Sequence, residues 1–277
     1  MYQFPADFSD FISLSCDRLS FIRQYLNDNS INCKILQLGE KKHVYVDFPE
    51  SQYNRSYKIK TLIAHYDRSG QTFGANDNSF AVYCLLEFAV KLFKKNEAHN
   101  VQIILTDGEE TPPEPENPLK NINNVTRMGS YELAKVFKRL NIIRNDIYVF
   151  DCMGRGDIPV ICENTFPENT NASLVNTVIA LENRAEELVK KASGGKWFKL
   201  KTAFSDNAAF LANGIPCVQL TMLPSKEIDD YLHGIVPQTW RLLHTMDDNL
   251  LSLSCNSHDI FMKMLELISL NKTSSIL

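Results

Sequence analysis

Leu105-Thr106-Asp107-Gly108-Glu109-Glu110 closes an apolar run, Val101-Gln102-Ile103-Ile104-Leu105. The run is rich in β-branched residues and of strand length, so it reads as a buried strand over 101–105. The strand ends in a turn that carries three carboxylates within four residues. Side chains at the carboxyl end of a strand in an open α/β sheet point into the crevice where ligands bind. Like charges gathered there oppose one another unless something positive sits between them, and a metal ion is the simplest such group. In isolation the stretch also reads as a solvated acidic turn. The rest of the chain decides between the two.

Working outward, apolar spacing predicts a helix over 9–28 with Ser9 as N-cap, then a hairpin from Cys33 to Phe48. A strand over 57–65 turns continuously apolar toward its end, as a strand does when it becomes buried. A polar loop, 66–78, leads to a strongly apolar helix over 79–95 that ends in Lys94-Lys95, which suits the helix dipole. Past the acidic turn, the four prolines in 111–118 forbid helix and disfavour strand, so this stretch reads as a surface excursion or lid. Helix 130–140, strand 146–151, an edge-like strand 158–162 and helix 172–192 follow. Strand 197–202 and helix 206–213, which stops at Gly214, come next. Strand 216–221, a long loop 223–255 and helix 256–270 complete the order, with a frayed tail from Asn271. There is no repeat and no linker long enough to divide the chain, so 1–277 reads as one α/β domain. Alternating strands and helices predict a mixed, mostly parallel sheet covered on both faces, a three-layer α/β/α sandwich.

The 277 residues are 44% hydrophobic and 22% charged, an ordinary globular balance. Twenty-nine basic against 33 acidic residues give −4, which advertises neither nucleic acid nor an anionic membrane as partner. Met1–Phe8 lacks the basic and apolar regions of a signal peptide, and no apolar run approaches the roughly 20 residues of a membrane span. The seven cysteines are scattered, odd in number and without a Cys-x-x-Cys pair. They suggest neither a disulfide framework nor a thiolate zinc site, and a cytoplasmic protein is expected.

Five candidate metal ligands sit at element ends. His65 ends a strand, Asp77 precedes a helix, Glu110 follows the acidic strand, Asp151 ends another strand, and His244 lies in the late loop. Two histidines and three carboxylates form a mixed N/O set that suits zinc, with cobalt or manganese also compatible. Five protein ligands exceed what one catalytic zinc takes and suit two ions with one carboxylate shared. Asp67, two residues past His65, is placed to orient that imidazole. Glu109, beside a ligand but free itself, is placed as general base. His43, His99, His233 and His258 lack a comparable acidic cluster and read as surface or structural residues.

These segments resemble the ordered motifs of the zinc aminopeptidases of metallopeptidase family 28, which also includes glutaminyl cyclases and non-catalytic receptor ectodomains. The motifs are Ala64-His65-Tyr66-Asp67, Gly74-Ala75-Asn76-Asp77-Asn78-Ser79, Asp107-Gly108-Glu109-Glu110 and Phe150-Asp151-Cys152-Met153-Gly154. Ser205-Asp206-Asn207-Ala208-Ala209-Phe210 with Gly214-Ile215-Pro216, and His244-Thr245, complete them. The resemblance runs from about residue 60 to 250. It implies a phosphorylase/hydrolase-like sandwich, with His65 on one zinc, Asp77 bridging, Glu110 and Asp151 on opposite ions, and His244 on the second. It further implies Glu109 as base, Asp67 orienting His65, and Asp206 on the substrate side. Two departures are Ser79-Phe80 where the peptidase pattern has Ser-Gly, and a Gly129-Ser130 delayed by the proline-rich insert. The insert and His244-Thr245-Met246-Asp247-Asp248-Asn249 are similar to glutaminyl cyclases, for which one zinc commonly suffices. The expected function is therefore zinc-dependent removal of an N-terminal residue from a peptide. Glutaminyl cyclization is the alternative, and a binding protein on a dead peptidase fold a third reading. Phe80, Met153, Met222, Tyr231 and Trp240 are candidates for an apolar pocket or for ordinary core.

Overall fold

A computed structural model describes residues 4–110, 125–166 and 168–275. The proline-rich stretch 111–118 lies outside the described residues. One eight-stranded sheet organises the chain, with strand order β1-β2-β4-β3-β5-β8-β6-β7. The strands are β1 (Asn32–Leu38), β2 (Lys41–Asp47), β3 (Lys60–His65), β4 (Val101–Thr106), β5 (Asp146–Phe150), β6 (Ile158–Cys162), β7 (Phe198–Leu200) and β8 (Cys217–Leu223). The central run β4-β3-β5-β8 is parallel, the β1-β2 hairpin joins it antiparallel, and β6 pairs antiparallel with β8.

Alternation along the strands divides the core into two layers. Leu62, Ala64, Ile103, Leu105, Tyr148 and Phe150 face one way. They pack with α1 (Ala6–Ile12), α2 (Arg18–Asp28), α3 (Phe80–Lys95), α5 (Ala172–Ala192) and α9 (Cys255–Leu270). Ile63, Ile104, Ile147 and Val149 face the other way, against α4 (Gly129–Arg139) and α6 (Asp206–Ala212). This is the three-layer α/β/α sandwich that the element order predicts. Register places the site: His65 pairs with Thr106 and Ile63 with Val149. The ends of β3, β4 and β5 therefore lie side by side, and the turns leaving them share one crevice.

The structure corrects four boundaries. The single helix expected over 9–28 is two, α1 and α2, and α1 starts after Pro5 instead of at Ser9. Arg68 breaks it, because its guanidinium binds the carbonyls of Ile12, Ser13 and Leu14 at 2.7–3.3 Å. Asp17 then caps α2, accepting from the Ser20 backbone N–H and hydroxyl. Apolar spacing survives the break because both helices bury the same face, with the Phe11 and Phe21 rings 4.9 Å apart. The expected loop 223–255 contains α7 (Ser225–Leu232) and α8 (Gln238–Leu242), each begun by a proline. The strand at 158–162 is not an edge, since β7 pairs outside it. The tail is held as far as Ser275, whose N–H donates to the Ser56 carbonyl, while Ser274 bridges Tyr57. The apolar candidates divide: Phe80, Met153 and Met222 are core, and Tyr231 stacks edge-on against Trp240 over the small cluster beneath β6.

The loop between β3 and α3 is fixed by a group that the sequence does not announce. Arg18, in the first turn of α2, is buried and donates to the carbonyls of Tyr66, Asp67 and Phe73 and to the Ser79 hydroxyl at 2.6–3.1 Å. Burial pulls its pKa down to about 10, which leaves it charged at neutral pH. Lysine cannot reproduce this fork of donors. Replacing Arg18 with Met or Lys is expected to lower unfolding free energy by at least about 2 kcal/mol, since each hydrogen bond to a charged group contributes roughly 1.5–3. Urea denaturation at equilibrium checks this, and wild-type stability in both variants would show that the fork does not hold the loop.

Candidate metal centre

Asp77 lies in the irregular turn Ala75–Ser79 that follows Gly74 and leads into α3. The peptide bond between Asp77 and Asn78 is cis. Three neighbours hold this turn. Asp248, buried in the late loop, accepts the Asn76 and Asp77 N–H groups at 2.8 and 3.0 Å. The Asn76 side chain accepts from Gly154 N–H at 2.7 Å, and the Asn78 amide donates to the Phe150 carbonyl at 2.8 Å. The turn is thereby tied to the ends of β5 and to the loop bearing His244.

The five sequence-predicted ligands come together in two triads that share Asp77. In one, His65 Nε2 lies 3.2 Å from Asp77 Oδ1 and 3.5 Å from Asp151 Oδ1. In the other, His244 Nε2 lies 3.3 Å from Asp77 Oδ2 and 3.2 Å from Glu110 Oε2. Two donors on one tetrahedral ion with bonds of about 2.0–2.1 Å stand roughly 3.3 Å apart. The spacing of both triads thus fits a shared cation. Among the described residues, His65 Nε2 and Glu110 Oε1 are buried without a hydrogen-bond partner, as atoms reserved for a metal would be. The mixed N/O donor set suits zinc, cobalt or manganese.

The charges at the site act strongly on one another. Burial disfavours a charged His65, but the carboxylates of Asp151, Asp67 and Asp77 outweigh it and hold its pKa well above the ordinary value. Hydrogen bonding to Asp77 and Glu110 pushes His244 up to about 10. Burial favours a protonated Asp77, yet His244 and His65 overcome it and drive its pKa below the ordinary range. Glu109 goes the other way: burial, then the charges of Asp151, Asp206 and Asp77, raise it well above the ordinary value despite His65. Burial raises the Glu110 pKa as well, so both glutamates of the acidic turn are proton-avid, Glu109 markedly so. Glu109 also falls in a cluster with His65 and Glu110.

Asp67 stands 3.6 Å from His65 Nδ1, longer than a hydrogen bond. Its oxygens accept instead from the Glu109 and Glu110 N–H groups, at 3.3 and 2.9 Å. It therefore clamps the acidic turn while facing the imidazole. Asp206, at the start of α6, is fully buried. It accepts from the Thr106 hydroxyl at 2.5 Å, and burial raises its pKa. His43, read as surface or structural, is buried and accepts the Asp107 N–H at 3.2 Å, and burial pulls its pKa down to about 4. Gly129 is required behind the turn, because a Cβ there would lie 1.9 Å from the Asp107 carbonyl oxygen. Backbone strain marks two positions: Cys152 and His244 have φ of 56° and 59°. The left-handed region is uncommon for such residues and clusters at functional sites. Sequence reading missed Arg18, His43 and Asp248. Only Asp248 carried a signal, from its place beside His244 in an acidic run.

At the carboxyl ends of the central strands the two triads share one carboxylate, a cluster of donors that could hold metal. Residues 44–268 match Peptidase family M28, and the chain belongs to that family. No curated protein sequence matched. Solved structures share the fold, three among them as follows. The LapA aminopeptidase of Legionella pneumophila has 13% identity and a TM-score of 0.66, with 95% of this chain and 69% of that one covered. A glutaminyl cyclase of Porphyromonas gingivalis has 15% identity and a TM-score of 0.70, with 96% and 98% covered. A leucine aminopeptidase precursor from Bacteroides thetaiotaomicron has 16% identity and a TM-score of 0.69, with 98% and 99% covered.

Asp67→Asn keeps the size and both acceptor positions in part but removes the charge facing His65. It is expected to fold normally and to lose about 10–100-fold in metal affinity or turnover, as outer-partner changes do, with partial rescue by added zinc. Unchanged zinc affinity and turnover in the purified variant would reduce Asp67 to a turn residue.

Proposed function

We propose that this chain is a zinc-dependent aminopeptidase that hydrolyses the N-terminal bond of a peptide. The observation that carries this reading is the sharing of Asp77 between two triads, a donor set that suits two ions. His65, Asp77 and Asp151 would hold one zinc, and Asp77, Glu110 and His244 the other. Zinc bound there supplies Lewis acidity toward the scissile carbonyl and makes water more acidic. Glu109 takes the proton as water oxygen bonds to that carbonyl carbon. It delivers the proton to the leaving amine as the C–N bond breaks. Asp67 keeps Glu109 and Glu110 in place through their N–H groups. Asp206, fully buried, acts through Glu109 by opposing its negative charge, instead of meeting substrate directly. The surplus of carboxylates suits the cationic α-amine of a peptide. Among the described residues no helix is long and apolar enough to cross a membrane. A reducing, cytoplasmic setting accords with seven free cysteines.

Glutaminyl cyclization is the second reading, and one observation favours it. Asp151 Oδ1, the oxygen facing His65, also accepts from the Cys152 thiol at 3.3 Å, so that triad is the less free of the two. In this reaction the substrate's α-amine attacks its own γ-carboxamide carbon and ammonia leaves, with Glu109 moving the proton.

Parallel assays of zinc-loaded protein with aminoacyl-chromogenic and N-terminal-glutaminyl peptides separate the two. Hydrolysis of the aminoacyl substrates is expected. Ammonia release from glutaminyl peptides without aminoacyl hydrolysis would establish the cyclase instead. Glu109→Gln is expected to retain metal and to lose roughly 10²–10⁴-fold in turnover, while Glu110→Gln weakens metal affinity. The reverse pattern would exchange the two assignments.

A further inference from the structure

A second group of metal-ligating side chains lies away from the crevice, where α3 meets α9. Cys84 and Glu87 are three residues apart on α3 and so share one helix face. His258, near the start of α9, faces them. Its Nε2 lies 2.9 Å from Glu87 Oε2, and one donor atom from each of Cys84, Glu87 and His258 falls within 4.8 Å of the other two. Cys84 is buried, whereas His258 and Glu87 keep 14% and 24% of their side chains exposed, which leaves a path from solvent. The other ring nitrogen of His258 stands 3.6 Å from the exposed Asp259 Oδ1, longer than a hydrogen bond.

We propose that Cys84, Glu87 and His258 form a further site for a divalent transition cation of zinc type, independent of the Asp77 centre. Three protein donors with one position toward solvent make a four-coordinate site. A thiolate, an imidazole and a carboxylate select a borderline cation such as zinc or cobalt over calcium or magnesium. In the metal-free protein, burial and the Glu87 charge hold the Cys84 thiol protonated. On binding, the S–H bond breaks, sulfur bonds to the cation and the proton leaves to solvent. An ion there links α3, whose first residue follows the Asp77 turn, to α9.

Sulfur makes the site separable from the Asp77 centre, whose ligands are nitrogen and oxygen only. Cobalt titrated into the metal-free full chain is expected to give near-ultraviolet thiolate-to-cobalt charge-transfer absorption, saturating at one such cobalt per chain. Cys84→Ser should abolish that band and reduce bound cobalt by one ion. No charge-transfer band in the wild type at saturating cobalt, or a band that persists in Cys84→Ser, would overturn the proposal. Should Cys84→Ser fail to fold, His258→Gln carries the test. A folded His258→Gln protein with an unchanged band and affinity would overturn it equally. Aminopeptidase activity is not the readout, so failure here leaves the reading of the Asp77 centre standing.

Discussion

Six carboxylates crowd one end of the sheet: Asp67, Asp77, Glu109, Glu110, Asp151 and Asp206. Their removal from water raises the cost of each negative charge, and each charge raises the cost of the next. The structure distributes that cost unevenly. Asp67 is held ionised by His65 and by the Glu110 and Glu109 N–H groups despite its burial. Asp77 is held ionised by the two histidines. Glu109 and Asp206 have raised affinities for protons. A cation at either triad relieves the same repulsion at its centre. Burial raises the proton affinity of Glu110 as well, so ionised Asp67 and Asp77 stand beside three proton-avid carboxylates.

Precision at such a site comes from the groups that fix the ligands. Three loops meet at the crevice, and each is tied to another. Arg18 gathers 66–79 onto α2, Asp67 holds the acidic turn, and Asp248 joins the His244 loop to the Asp77 backbone. His244 remains the exposed member, with 57% of its side chain accessible and a left-handed backbone. Such a conformation costs on the order of 1–3 kcal/mol and persists where the surroundings over-determine it. Here Asp248, four residues on, provides that restraint.

Much of this was legible in the sequence because the sheet's register does the assembling. Strand-length apolar runs ending in His65, Thr106 and Phe150 place the following polar residues together whenever those strands are parallel neighbours, and they are. The sandwich follows from the same alternation of strands and helices. What escaped depends on contacts distant in sequence. The α1–α2 break is set by Arg68, some 55 residues away, and periodicity within 9–28 carries no trace of it. The buried roles of Arg18 and His43 are likewise decided by partners across the fold. The helices α7 and α8 were missed for a different reason. They are short, and their proline starts were available as signals at Pro224 and Pro237. Asp67 stands beside His65, but its hydrogen bonds go to the acidic turn.

The proposed chemistry depends on Asp77 standing between two cations. Anomalous diffraction at the zinc absorption edge, from crystals grown with zinc, locates each ion directly. Two peaks about 3.5–4 Å apart, one on either side of the Asp77 carboxylate, are expected. A single peak held by His244, Glu110 and Asp77, with nothing between His65 and Asp151, would contradict the shared-carboxylate centre.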